Sequence, residues 1–179
     1  MELRGRHAVV RPWRTTDLAS LVRHADNPSV AKQLRDRFPH PYTVADGRAF
    51  LAWALSPSAD PSNLAIEVNG EAVGGIAYSL GADVERFSAE IGYWVGESYW
   101  GRGLATEALV LVTEHLFARR NLLRLFAVPL ADNAASLRVL EKAGYACEGR
   151  LRASCVKYGC ARDQFLYARV NDAWKGVMR

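Results

Sequence analysis

Lysine is scarce in this chain of 179 residues: the four lysines, at 32, 142, 157 and 175, leave 19 arginines among the 23 basic side chains. Cysteine is rarer still. Cys147, Cys155 and Cys160 are an odd number without metal-like spacing, which argues against a disulfide scaffold and a structural zinc site. They read as reduced cytosolic thiols, and a cytoplasmic location is expected. No apolar run approaches the roughly 18–20 residues that a membrane span needs. The first residues, MELRGRHAVVRPW, are charged from the second position and lack an apolar core, so no secretory signal is expected. Internal repeats and low-complexity linkers are missing too. His7, His24, His40 and His115 lack a matching Ser or Cys partner motif or a metal-ligand cluster. A hydrolase triad and a metal centre therefore have little support.

What is present fits one ordinary domain over residues 1–179. Half of the residues are hydrophobic and 23% are charged, enough to bury a core. The net charge of +4 spreads over the whole chain and reads as a solvated surface. Nucleic acid and membranes are not expected partners, while a homodimer is admitted.

The chain changes period along its length. Residues 7–13 read as a strand, and Thr16 and Asp17 offer an N-cap for a helix through Leu18, Leu21 and Val22. A short helix is expected at 28–34, and irregular segments at 35–42 and 56–62. Thr43 opens a capping-box pattern, T-V-A-D, before Phe50, Leu51, Ala54 and Leu55. Asn69-Gly70 separates alternating residues 64–68 from a strand at 72–80, a hairpin signal. Strands are expected at 88–95 and 123–128, and helices at 102–118 and 133–143, with Gly144 as a stop. Strands at about 145–155 and 162–170 complete a mixed α/β (α+β) domain.

The most informative segment is Y-W-V-G-E-S-Y-W-G-R-G-L-A-T at 93–106. A strand feeds a glycine loop that opens a helix. Gly101 and Gly103 let the backbone turn sharply and approach a ligand. The free N–H groups of the first helical turn suit a pyrophosphate, with Arg102 as an added charge. The same residues also read as a plain strand-to-helix turn. The third glycine of a dinucleotide fingerprint is missing, as is the Gly-Lys-Ser/Thr of a Walker loop.

With the segment that follows, ADNAASLRVLEKAGYACEGRLR, this loop resembles the acetyl-CoA-binding core of the GNAT acyltransferase superfamily. The D-N-x-A-S…E-K-x-G-Y…E-G-x-L-R run is similar to its Rim-type branch of protein N-terminal acetyltransferases, over residues 7–170 or so. Trp100 replaces the commoner Gln or Arg of the (Gln/Arg)-x-x-Gly-x-(Gly/Ala) signature. The resemblance implies a strongly twisted, mostly antiparallel sheet splayed in a V, with helices on both faces. It implies that the backbone of Trp94 and Val95 pairs with the pantetheine, with the N–H near Val95 polarising the thioester carbonyl. Residues Gly101, Arg102, Gly103, Leu104, Ala105 and Thr106 would hold the pyrophosphate. Asn133 would bond the pantetheine, or serve only as a helix N-cap. Ser136 would sit near the cofactor sulfur.

The implied reaction is direct transfer of acetyl from acetyl-CoA to an amine, without a metal. The tyrosine acid of many relatives corresponds here to Leu140, and Ser136 matches the serine proposed in the Rim-type branch. That branch can use a glutamate after E-G-x-L-R as base. Here the stretch is Ala153-Ser154-Cys155-Val156, with no carboxylate and Cys155 about in its place. Glu90 is the replacement candidate, in a strand where it and Ile91 point to opposite faces; burial there would raise its pKa. It reads equally as a structural glutamate. An α-amine has an ordinary pKa near 8 against about 10.4 for lysine, so a weak or absent base favours a protein or peptide N-terminal α-amine. A small amine (polyamine, aminoglycoside or amino acid) and a non-catalytic CoA sensor are the alternatives. Recognition is expected from loops 35–42 and 158–162, with Phe38, Tyr42 and Tyr158 as pocket walls or loop anchors.

Overall fold

The computed structural model describes residues 1–56 and 62–176. Most of the irregular segment expected at 56–62 lies outside the described residues. Eight strands form one sheet in the order β1-β2-β3-β4-β5-β6-β8-β7. They are β1 (Leu3–Arg4), β2 (Val9–Pro12), β3 (Asn63–Val68), β4 (Glu71–Leu80), β5 (Ser88–Val95), β6 (Arg124–Ala127), β7 (Ala146–Lys157) and β8 (Cys160–Val170). Every neighbouring pair is antiparallel except β5 and β6. That parallel pairing covers only Ser88 to Glu90 opposite Arg124 to Phe126. Beyond it the two strands separate, and β5 runs on alone to Val95 on that side. This is the expected V.

Helices cover both faces. On one side α4 (Leu104–Arg120) and α5 (Ala134–Lys142) bury Leu104, Leu109, Leu116 and Leu140 against Ile76, Ile91 and Leu125. On the other, α1 (Leu18–Ala25) and α3 (Val44–Ala54) close a smaller core around Trp13, Leu21, Tyr42 and Leu51. The capping box at Thr43 forms: Asp46 N–H donates to the Thr43 hydroxyl and the Asp46 carboxylate accepts the Thr43 N–H. Asn27 caps the short α2 (Pro28–Ala31), which ends three residues before the expected limit.

Two elements differ from the sequence reading. Asp17 does not cap α1 with its side chain. It is 5% exposed, and its carboxylate accepts both terminal nitrogens of the buried Arg11 (2.8 and 2.9 Å) and the Arg14 N–H. A buried guanidinium needs a carboxylate partner more than a helix end open to water does. The segment 158–162 is not a loop. Tyr158 and Gly159 alone form the turn, with φ of 51° and 76°, close to the 50° and 85° of Asn69-Gly70. Both pairs make the positive-φ turn that suits the strand twist. Tyrosine is an uncommon turn residue, so the sequence shows the two strands but hides how tight their connection is.

Candidate active site

The backbone of β5 alternates in direction. Phe87 C=O accepts from Leu123 and Arg124 on the β6 side, while Ser88 C=O and Gly96 N–H bond residues of the opposite side, Gly81 and Val73. Odd-numbered peptide groups therefore face β6, and even-numbered ones face β4. Past Glu90 no strand among the described residues pairs with the β6 side, so Tyr93 and Val95 present their backbone to the opening. The Val95 carbonyl is taken by the Trp100 indole N–H at 2.6 Å, which leaves the Val95 N–H directed into the V. Trp100 thus ties the glycine loop to the strand end. Trp94 is turned the other way: its carbonyl lies 2.3 Å from where a Cβ on Gly74 of β4 would stand. The expected backbone pairing at Trp94 is therefore closed by β4, and Tyr93 and Val95 hold the open backbone groups. The strand alternation that puts Trp94's groups on β4 is the reason.

The loop then makes two left-handed turns, at Gly101 (φ 75°) and Gly103 (φ 77°). Gly103 is the N-cap of α4 and supplies no capping side chain. The N–H groups of Leu104, Ala105 and Thr106 thus point outward at the positive end of a 17-residue helix. The Arg102 guanidinium is engaged with its own loop: it donates to the Ser98 carbonyl at 3.0 Å and lies over the Tyr99 ring. One turn into the helix, the Glu107 carboxylate accepts the N–H groups of Arg6, His7 and Ala8 at 2.6, 3.0 and 2.8 Å. It pins the helix start to the β1–β2 turn.

Across the V, Asn133 caps α5 by accepting the Ser136 N–H at 3.1 Å. Ser136 is half-buried, and its Oγ lies 2.9 Å from the Tyr93 Oη. Leu140 is fully buried in the main core and offers no chemistry. Tyr93 was missed in the sequence. Its signal is alternation: Ile91, Tyr93 and Val95 share one face, and only Tyr93 brings a polar tip to it. Burial pushes its phenol pKa up, and the Ser136 hydrogen bond partly offsets this.

Glu90, Gly92 and Trp94 lie on the opposite face of β5. Glu90 is a third exposed and ion-paired with Arg35, so the expected burial of this carboxylate does not hold. Phe38 packs edge-on against Trp94 and also contacts Tyr42, which is core. Lys157, at the end of β7, is 7% exposed and bonds Asp36 at 2.8 Å. The segment 35–42 is thereby tied to the strand end just before the other segment expected to recognise the acceptor, 158–162. Next to Glu90 and Trp94 on this face, a Cβ built on Gly92 would meet nothing within 4 Å. From Glu90 a cleft of about 420 Å³ continues past Ser79, Ser88 and Phe126 to Arg124, whose guanidinium holds the Glu148 carboxyl below its ordinary pKa. Tyr158 projects from the hairpin tip, 67% exposed. Cys155 is half-buried, with its thiol 3.7 Å from the Arg162 carbonyl. His115 sits on α4, where burial and then Arg119 lower its pKa.

An open strand edge, an N–H nest and a hydroxyl pair line the V. They fit a long ligand with an amide-bearing arm, a pyrophosphate and a reactive sulfur end. The comparisons with known proteins agree. The Acetyltransferase (GNAT) domain family matches residues 7–146. The ribosomal-protein-serine acetyltransferase of Escherichia coli is 36% identical over 87 residues, 48% of each chain. The spermidine N(1)-acetyltransferase of the same species is 27% identical over 146 residues, 81% of this chain and 76% of that one. The crystal structure of Mycobacterium smegmatis RimJ in complex with a CoA-disulfide superposes with a TM-score of 0.82 at 27% identity, covering 98% of this chain and 88% of that one. With the V, the glycine loop and the Asn133–Ser136 helix in place, this chain belongs to the GNAT acetyltransferase family.

Proposed function

We propose that the chain is an acetyl-CoA-dependent N-acetyltransferase acting on a protein or peptide N-terminal α-amine. When bound, acetyl-CoA supplies the acyl thioester: the amine forms the C–N bond, the C–S bond breaks with its electron pair on sulfur, and the amine gives up one proton. The N–H groups of Leu104 to Thr106 hold the pyrophosphate. Val95 N–H donates to the thioester oxygen as negative charge builds there. The Asn133 side chain reaches the pantetheine arm while its oxygen caps α5. Ser136 hydroxyl donates to the departing sulfur, and Glu90 assists the loss of the amine proton.

The Arg35–Glu90 ion pair carries the choice of acceptor. A free carboxylate would hold an ammonium in its charged, unreactive form, whereas this one is already neutralised. Arg124 is likewise matched by Glu148. A site with balanced charge suits an amine that sheds its proton easily, such as an α-amine near pKa 8. The second reading, a small polyamine, is favoured by the spermidine-acetylating relative and by Glu85 at the far end of the cleft.

Steady-state kinetics with a peptide panel and with spermidine separate the two. Peptides should give the higher kcat/KM, and a preference for spermidine would reverse the assignment. CoA binding with no turnover of either class would make the chain a sensor. Ser136→Ala should lower kcat about a hundredfold and leave the KM for acetyl-CoA nearly unchanged. A rise in KM alone would make Ser136 a binding residue.

A further inference from the structure

Tyr93 and Ser136 come from segments 43 residues apart, and their hydroxyls meet at 2.9 Å. The Tyr93 Oη also lies 3.2 Å from the Ser136 carbonyl. A phenol has one proton and here two acceptors. The carbonyl is the poorer claimant. Ser136 lies in the first turn of α5, so its C=O already receives the Leu140 N–H in the helix ladder. The hydroxyl contact is also the shorter of the two. The phenol proton therefore belongs on Ser136 Oγ, and the serine's own proton is turned away from Tyr93.

That direction matters for a helical serine. Left alone, such a hydroxyl bonds back to a carbonyl three or four residues earlier in the chain. Tyr93 occupies the lone pair of Oγ and so sets which way the O–H points. Burial keeps the phenol protonated throughout the working pH range, so it acts as a donor and not as a proton source.

We infer that Tyr93 is a positioning residue for the leaving group: it donates to Ser136 Oγ, and Ser136 donates to the sulfur as the C–S bond breaks. This rests on the reading of Ser136 as the sulfur donor given above. No proton passes through Tyr93. The hydrogen-bond pair stabilises negative charge on sulfur, and the proton lost by the amine leaves on the Glu90 side. A donor whose own oxygen accepts a hydrogen bond is the stronger donor, so the effect should appear in thiolate stability as well as in rate.

The test uses the full-length enzyme with bound CoA. The thiol of the bound CoA is titrated by the ultraviolet absorbance of its thiolate in the wild type, Tyr93→Phe, Ser136→Ala and the double variant. Acetyl transfer is measured in parallel, and thermal melts establish that each variant is folded. Tyr93→Phe keeps the ring and removes only the hydroxyl. It should raise the bound thiol's pKa, lower kcat about tenfold, and leave the KM for acetyl-CoA within about twofold. The double variant should match Ser136→Ala alone, since Tyr93 acts through the serine. A Tyr93→Phe enzyme with the wild-type thiol pKa and kcat, while Ser136→Ala shifts both, overturns the inference and leaves the serine assignment standing. Losses that multiply in the double variant overturn it too, because the two hydroxyls would then act separately. A Ser136→Ala enzyme with an unshifted thiol pKa removes the serine assignment and the inference together.

Discussion

The two sides of the V are built from different materials. The side proposed for the cofactor is mostly backbone: the Val95 N–H, the two left-handed glycines and the first turn of α4, all within 93–106, with only Asn133 and Ser136 adding side chains from α5. The side proposed for the acceptor is made of side chains brought from far apart: Arg35 with Glu90 and Asp36 with Lys157, separated by 55 and 121 residues. Backbone sites are local and depend on a few conformations. Side-chain sites depend on the whole fold and can be re-tuned one substitution at a time. A family that shares one donor and varies its acceptor would be expected to divide its architecture in this way.

Substitutions on each side should therefore separate cleanly. The largest effect is expected from Gly103→Val. A branched side chain at φ 77° strains the turn by about 1–3 kcal/mol and crowds the anion nest. Affinity for CoA by calorimetry should fall at least about tenfold with the protein still folded. An unchanged affinity would mean the pyrophosphate binds elsewhere. Gly92→Val makes the complementary test. Its side chain would enter the open space on the acceptor face, so the KM for the acceptor should rise severalfold while CoA affinity holds. Loss of both would show that the two sides are not independent.

Glu90→Gln should cost about tenfold or less in kcat, against the ~10²–10⁴-fold of a true general base. The rate with saturating peptide should rise with pH along the pKa of the acceptor amine, and a peptide of lower amine pKa should shift that limb to lower pH. A loss above a hundredfold, or a limb that ignores the amine, would identify an enzyme base; Cys155 would then be replaced next. The smallest effect concerns acid stability. Thr43, Arg124 and the Ala153 N–H with Arg150 hold the carboxyls of Asp46, Glu148 and Asp163 below their ordinary values. Depressed folded pKa values stabilise the fold above the unfolded values near 4, and this contribution is lost as pH falls through the folded ones. Melting temperatures should be level from neutral pH to about 5 and decline below about 4. Thr43→Ala should shallow the decline slightly.

The same contrast explains what could be read in advance. Gly101 and Gly103, the capped helix at Asn133 and the Asn69-Gly70 turn are local signals, and the sequence states them openly. Tyr93 was hidden because its partner, Ser136, is brought near only when α5 packs on the β5 face. Arg35 lies in a loop expected to recognise the acceptor, but only the fold sets it against Glu90. The tight turn of the second hairpin was obscured by a tyrosine at a position that more often takes asparagine, although both of its strands were expected. Asp17 was misjudged because a cap and a buried ion-pair partner use the same residue type.

On the proposed function, a Lys157–Asp36 bridge lying across the acceptor's path would make a passage of the groove. A groove admits the flank of a folded domain, whereas a passage admits only something slender that enters end first. For a protein acceptor this means that several residues behind the amine must be free of secondary structure. A terminus packed into its own sheet would be invisible to the enzyme, and the same terminus would react while still nascent or as a mobile tail. On that reading, timing relative to the acceptor's folding would govern modification as much as the identity of its first residue.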